Sequence, residues 1–200
     1  MIYLNNIQKK YGGNYIIDNA TLKIDKPGIY ILHGINGSGK STIIKMITGI
    51  IYKTSGELKI DSVISYLPDK FSMPKLMKVK TYLSIVLKNN SKLDELVSKY
   101  QIPNKRIGEL SKGNQQKLGL LQIFDYEADC YVLDEPIDGL DDYAKKLIKD
   151  VIKEKIESKK IIIMSLHNKT YFNDLEPTTY DIREGRIYEK RKKLQSNWFN

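Results

Sequence analysis

Two hundred residues amount to about one domain with room for a substantial core, and 28% charged against 41% hydrophobic residues exclude a disordered or fibrous chain. No uninterrupted apolar run reaches bilayer-spanning length, the first residues lack a signal peptide's basic start and apolar centre, and one cysteine excludes an internal disulfide. The net charge of +9 comes almost entirely from lysines spread along a chain also rich in Ile, Asn and Tyr, as in an AT-rich genome, so no nucleic-acid partner is expected. Cys130 reads as a small buried strand residue in a reducing cytoplasm.

Residues 1–8 and 20–25 alternate as strands do, with Gly12-Gly13-Asn14 as the turn between neighbouring segments, an N-terminal antiparallel β region. Gly28–His33 is an apolar, β-rich run. It leads into Gly34-Ile35-Asn36-Gly37-Ser38-Gly39-Lys40-Ser41-Thr42, a complete G-x-x-x-x-G-K-[ST] phosphate-binding loop, and Ile43–Ile47 continues as a helix. Strand, loop and helix in that order are the context the motif requires. The glycines let successive N–H groups and the helix N-terminus face an anion without Cβ clashes. Lys40 would reach the β- and γ-phosphates, and the Ser41 hydroxyl would ligate Mg²⁺. Chance produces such a pattern in roughly 1% of chains of this composition, so an accidental Gly-rich turn is set aside. The loop predicts a nucleotide site.

Gly56–Ile60 and Val63–Leu67 read as a strand pair ended by Pro68. Between 79 and 100, Tyr82, Ile85, Val86, Leu93, Leu96 and Val97 recur at helical spacing, with Asn89-Asn90-Ser91 breaking two helices apart. Gln115–Phe124 is a further helix, Cys130–Leu133 a buried strand, and Asp141–Ser158 an amphipathic helix. Ile161–Leu166 is a second buried strand, and Tyr180–Tyr188 a hairpin around Glu184-Gly185. Apolar strands separated by helices imply an α/β fold with a mainly parallel sheet core, a single domain over 1–200 with 72–124 as an inserted helical subdomain. The basic run Lys190–Lys193 and Trp198-Phe199 read as a solvated C-terminus, with membrane contact as the alternative.

The strand Cys130–Leu133 ends in Asp134-Glu135. In phosphate-loop ATPases an Asp at such a strand end orients Mg²⁺, usually through water, and a following Glu polarises the attacking water. An isolated Asp-Glu pair is more often a solvated turn. Beside residues 34–42 it completes what hydrolysis needs: phosphate cradle, metal and water-positioning group.

Three further motifs follow: Leu110-Ser111-Lys112-Gly113-Asn114, Asp138-Gly139-Leu140-Asp141 and Ser165-Leu166-His167. With them the chain resembles the ATP-binding cassette (ABC) family over essentially its whole length, a phosphate-loop NTPase of the ABC ATPase type. The resemblance implies that Leu110–Asn114 is the family's Leu-Ser-Gly-Gly-Gln signature, departing at Lys112 and Asn114. Ser111 and Gly113, which approach the γ-phosphate across a dimer, are retained. Gly139-Leu140-Asp141 matches the loop that crosses the dimer interface, so Asp141 is expected near the nucleotide. His167 takes the place of the switch histidine at the γ-phosphate, and Tyr11 that of the aromatic stacked on adenine, with Tyr15 as a nearby competitor. Asp69, in Tyr66-Leu67-Pro68-Asp69, stands where the family has a glutamine that meets Mg²⁺ and the attacking water and moves with the membrane subunit. An aspartate still ligates Mg²⁺, with added charge and a shorter reach; alternatively it caps a turn before Phe71-Ser72-Met73.

By this resemblance the chain is the cytoplasmic ATPase subunit of a bacterial ABC transporter, peripheral on the inner face of the membrane. It would bind ATP and Mg²⁺, with Glu135, His167 and Lys40 catalytic and Ser41, Asp69 and Asp134 at the metal. Two copies, or one copy and a related ATPase, would sandwich ATP between residues 34–42 of one chain and Ser111–Gly113 of the other. A separately encoded transmembrane permease would be the partner. The compact helical region and Leu-Ser-Lys-Gly-x-x-Gln look more like small exporters of peptide, bacteriocin or drug-like substrates, or self-immunity, than like importers. Cassettes acting on ribosomes or DNA carry two cassettes or long coiled coils, and neither feature is present. A regulatory subunit with low turnover is opposed by Lys40, Asp134, Glu135 and His167 and left open by Asp69.

Overall fold

A computed structural model of the chain describes residues 1–88, 90–168 and 170–190. β1 (Ile2–Tyr11) and β2 (Asn14–Ile24) form a hairpin across Gly12-Gly13, and β3 (Gly28–His33) runs into the phosphate loop and α1 (Lys40–Ile47). After β4 (Ser55–Ile60) and β5 (Ile64–Leu67) come α2 (Val79–Val86), α3 (Leu93–Lys99) and α4 (Lys112–Asp125). The chain then alternates through β6 (Cys130–Asp134), α5 (Asp142–Glu157) and β7 (Ile161–Leu166), and reaches the hairpin of β8 (Thr178–Arg183) and β9 (Arg186–Lys190). A three-stranded antiparallel sheet is ordered β2-β1-β4, and a six-stranded sheet β5-β6-β7-β3-β8-β9 is parallel except for its last hairpin.

The strand pair expected of 56–60 and 63–67 is not made. β4 pairs with β1 and β5 with β6, in different sheets. Burial decides this: β4 leaves most of its residues exposed, as an edge strand does, whereas β5 lies beside the wholly buried β6. The switch occurs within three residues. Asp61 N–H closes on the Met1 carbonyl in one sheet, and the Val63 carbonyl accepts from Asp129 and Cys130 in the other. α4 also starts earlier than expected, because the Ser111 hydroxyl caps it by accepting the Asn114 N–H at 3.2 Å. β1 and β2 likewise run longer than the alternating segments suggest.

One apolar layer lies between the two sheets and α1, with Ile2, Leu4, Leu32, Ile43 and Val132 fully buried. A second covers the opposite face of the large sheet, where Ile31, Leu133, Ile162 and Met164 meet Ile148 and Ile152 of α5. Burial on both faces is what the continuous apolar runs of β6 and β7 require. The helical stretch has a small core of its own, built on Val79, Leu83, Val97, Ile107, Leu118 and Leu121. Cys130 is fully buried in β6, and burial pushes its thiol up to about 12, a packing residue rather than a nucleophile. Among the described residues no helix is long and apolar enough to cross a membrane. Arg191–Lys193, Trp198-Phe199 and Asn89 of the expected helix break lie outside the described residues.

The sheet order matters for chemistry. β3, β7 and β6 are parallel neighbours in register, with His33 beside Leu166 and Ser165 beside Asp134. The phosphate loop, Asp134-Glu135 and His167 therefore leave the same edge of the sheet.

Candidate active site

The phosphate loop is shaped for an anion. Gly39 precedes α1 with φ 108°, and a Cβ there would lie 2.6 Å from Ile17 Cδ1, so the position admits only glycine. No side chain caps α1, which leaves its first amides directed at the loop. The Ser38 hydroxyl is buried with no hydrogen-bond partner among the described residues. Lys40 is 4% exposed, and its Nζ donates to the carbonyls of Gly34 at 2.8 Å and Ile35 at 3.1 Å. A buried ammonium held only by neutral carbonyls, an orphan hydroxyl and uncapped amides together fit a polyphosphate.

Lys40 and its neighbours Asn36, Gly37, Gly39, Ser41 and Thr42 line a cleft of about 370 Å³ together with Tyr11, Ile16 and Glu135. Tyr11 and Tyr15 are both half exposed, but Tyr15 does not line this cleft. Of the two aromatics, Tyr11 is the one placed beside the phosphate loop. Lys9 Nζ sits 4.8 Å over the Tyr11 ring. Gly34, Ile35 and Ser38 line a neighbouring hollow on the other side of the loop, shared with His33, Asp181 and Arg183.

The acidic end of the cleft is built on one serine. Ser165 Oγ donates to Asp134 Oδ1 and accepts the Glu135 N–H at 2.9 Å. Ser41 Oγ donates to the same Asp134 oxygen at 3.3 Å. Adjacent oxygens around an octahedral Mg²⁺ are about 3 Å apart, so Ser41 and Asp134 fit a shared metal shell, directly or through water. Mg²⁺ held there would supply positive charge to offset that of the β- and γ-phosphates. Glu135 adopts φ 52°, in the left-handed region, which turns its carboxylate back over the cleft. Its Oε1 lies 2.6 Å from His167 Nε2. The Glu135 carboxyl is raised above its ordinary value, chiefly by burial; His167 opposes the shift, while Asp138 and the charge of Asp69 add to it.

Asp138, to which sequence reasoning gave no role, lies beside Glu135 and His167. Ligating atoms of Glu135, Asp138 and His167 all lie within 4.8 Å of one another. Its signal was an extra carboxylate in the loop after Asp134-Glu135, legible only as part of a dimer-loop motif. Asp69 follows β5, half buried, and its charge acts on Glu135 and on Tyr66. The Tyr66 hydroxyl is buried without a hydrogen-bond partner among the described residues, and is pushed up to about 12 by burial, then by Asp134 and Asp69.

Ser111 and Gly113 do not line the cleft. Ser111 caps α4, and a Cβ on Gly113 would lie 2.8 Å from the Gly139 carbonyl, so this position is glycine because the two loops touch. Asp141 is committed to its own chain: Oδ1 accepts the Ala144 N–H at 2.7 Å, capping α5, and Oδ2 meets buried Lys117 Nζ at 3.0 Å. Its carboxylate thus links the start of α5 to α4. Tyr11, Asn36, Gly37, Gly39–Thr42 and Glu135 thus line the cleft, Asp134 and His167 contact Ser41 and Glu135 from beside it, and Ser111, Gly113 and Asp141 do not line it.

The sequence model of the ABC transporter family matches residues 17–138. An uncharacterised ABC transporter ATP-binding protein of Methanocaldococcus jannaschii is 32% identical, over 83% of this chain and 68% of that protein. The lantibiotic transport ATP-binding protein of Streptococcus pyogenes is 28% identical, over 94% of this chain and 89% of its own length. The zinc import ATP-binding protein of Rickettsia bellii is 32% identical over 70% of this chain and 64% of its length. Among solved structures, a dimeric ATP-binding cassette in a post-hydrolysis state with ADP and Pi superposes with a TM-score of 0.82. It is 20% identical and covers 96% of this chain and 98% of that one, so it shares the fold. The chain belongs to the ABC transporter family, as an ATP-binding ATPase of the cassette type.

Proposed function

We propose that the chain is the ATPase subunit of a bacterial ABC exporter, working as an ATP-sandwich dimer beneath a separately encoded permease. One observation carries the dimer: the cleft is lined by phosphate-loop residues and Glu135, with Asp134 bonded to Ser41 at its edge, yet Ser111 and Gly113 do not line it. A second copy, turned head-to-tail, would supply them. Lys40 would leave its own loop carbonyls for the β- and γ-phosphates, and the amides of α1 would hold the same oxygens. Glu135 would polarise the attacking water, and His167 would shift between the Glu135 carboxylate and the γ-phosphate. Tyr11 would stack on adenine. ATP binding would close the dimer and hydrolysis would reopen it.

Support for a membrane partner comes from a groove beside Asp69. Tyr66, Pro68, Phe71, Met73, Tyr82 and Gln122 line an opening between the large sheet and the helical region. A cytoplasmic segment of the permease seated there would press on the Asp69 loop, and so on the catalytic carboxylates. Export of a peptide or bacteriocin, or self-immunity, is favoured by the short helical region, by the signature Leu110-Ser111-Lys112-Gly113 and by the likeness to the lantibiotic transport protein. The test is to co-express the chain with the membrane protein encoded beside it. A stable complex whose ATP turnover rises with a cationic peptide supports export. Turnover that rises only with a binding-protein-delivered solute overturns it.

A further inference from the structure

The chain has two histidines, and they are joined. His33 is the last residue of β3, directly before the phosphate loop, and His167 follows β7. The parallel β3–β7 ladder ends at His33 and Leu166, one residue short of His167. There the His33 side chain takes over from the backbone: its Nε2 lies 3.1 Å from the His167 carbonyl oxygen. Its Nδ1 lies 3.1 Å from Asp181 Oδ1, directly across the β3–β8 ladder. Asp181 is 7% exposed, and its other oxygen accepts from Arg183 Nη2 at 3.2 Å. Each ring nitrogen of His33 thus faces one oxygen, a carboxylate on one side and a backbone carbonyl on the other. Among the described residues, the charged and titratable groups near it include Asp181 and Arg183 from β8, Glu184 in the turn that follows, and His167 from the end of β7.

We propose that His33 is a positioning residue for His167, with Asp181 orienting His33. The bond to the His167 carbonyl fixes the chain where it leaves the sheet, and so fixes where the His167 ring meets Glu135. An apolar residue at the end of β3 would leave that carbonyl to water and the loop free to turn about the last residue of β7. His33 also adjoins Gly34, whose carbonyl accepts from Lys40 Nζ at 2.8 Å. That second bond is made by backbone and survives a change of side chain at 33. Loss of the His33 ring should therefore affect the hydrolytic step more than ATP affinity. The inference rests on the hydrolytic role proposed for His167.

With two histidines in the chain, an imidazole ¹H–¹⁵N spectrum contains two ring systems, and His167→Ala assigns them. In His33→Ala the His167 ring resonances should move, and kcat should fall by about tenfold with KM for ATP nearly unchanged, the signature of a displaced catalytic group. His33→Gln keeps an N–H donor for the carbonyl and should restore most of kcat. Asp181→Asn should move the His33 resonances and, to a smaller degree, those of His167; it carries the comparison if His33→Ala does not fold. Wild-type His167 resonances in these variants overturn the proposal, whatever happens to turnover, because the ring has then not been displaced. The spectra are recorded without nucleotide, so they judge placement separately from hydrolysis. Full turnover by His167→Ala would instead overturn the hydrolytic role.

Discussion

Ser165 and Asp134 face each other across the β6–β7 ladder, and the Ser165 hydroxyl joins the Asp134 carboxylate to the Glu135 backbone N–H. One fully buried side chain thus sets both acidic residues of the site. Ser165→Ala would leave the Glu135 N–H without its partner and free Asp134 to turn. The expected cost is about 1–3 kcal/mol of stability, together with slower hydrolysis. Thermal denaturation and steady-state turnover measured on one preparation check both effects; an unchanged melting temperature would contradict the first.

Lys40→Ala removes the only side-chain cation that lines the phosphate cleft among the described residues. The loop amides remain, but they are neutral dipoles and do not replace a full charge at the β- and γ-phosphates. Titration calorimetry should detect no ATP binding. Wild-type affinity would show that the nucleotide sits elsewhere.

Glu135→Gln keeps the shape of the site and loses the base. ATP should bind and hydrolysis should slow by roughly a hundredfold or more, as for removal of a general base. The ATP-bound form should then accumulate as a closed dimer, visible by light scattering with excess Mg-ATP. Monomer alone under those conditions, in the presence of the membrane partner, would count against the sandwich.

Acid pH should expose the crowding of carboxyl groups. Glu135 is raised above its ordinary 4.5, first by burial and further by Asp138, and it polarises water only when ionised. Turnover should therefore fall on the acid side at a higher pH than a free glutamate would impose. Asp138→Asn removes one of the raising charges, so the acid limb of kcat should move to lower pH. For stability the sign is the reverse of the usual carboxylate. The protonated form suits the fold, so the contribution of Glu135 is complete below 4.5 and is lost as pH rises through its raised value. A pH–rate profile of the two proteins decides the point; coincident acid limbs would remove Asp138 from the site.

Much of this site was legible because its parts are contiguous. The phosphate loop sits between a strand and a helix in nine residues, and Asp134-Glu135 ends an apolar run, so local pattern and chemistry coincide. Pairing was less legible. Adjacent segments suggested a hairpin of β4 and β5, but the partners were chosen by which faces are buried, and that depends on β1 and β6. Long-range polar contacts carried no signal at all. Ser165 is an unremarkable serine within an apolar strand, and His33 meets Asp181 from 148 positions away. Tyr11 and Tyr15 were equivalent until the cleft was formed.

Asp69 stands where the resemblance predicts a glutamine. Its carboxylate is close enough to Glu135 to raise it, although burial is the larger cause, and it also acts on the buried Tyr66 hydroxyl. Both effects mean only that its charge lies near Glu135 and Tyr66. We expect it to serve the Mg²⁺ shell with Ser41 and Asp134, directly or through water. Asp69→Ala should then raise the Mg²⁺ concentration needed for half-maximal turnover by several-fold, on the order of 1 kcal/mol for one lost oxygen ligand among several. ATP binding should survive, because Lys40 and the loop amides still hold the phosphates. Asp69→Gln should keep hydrolysis, since an amide oxygen takes the same place with a longer reach and without the charge; its Glu135 should also titrate lower. A turn-capping role predicts otherwise. Asp69→Ala would then lower the melting temperature and leave the Mg²⁺ dependence as in wild type. A Mg²⁺ titration of turnover with the membrane partner present, beside a melting curve, separates the two.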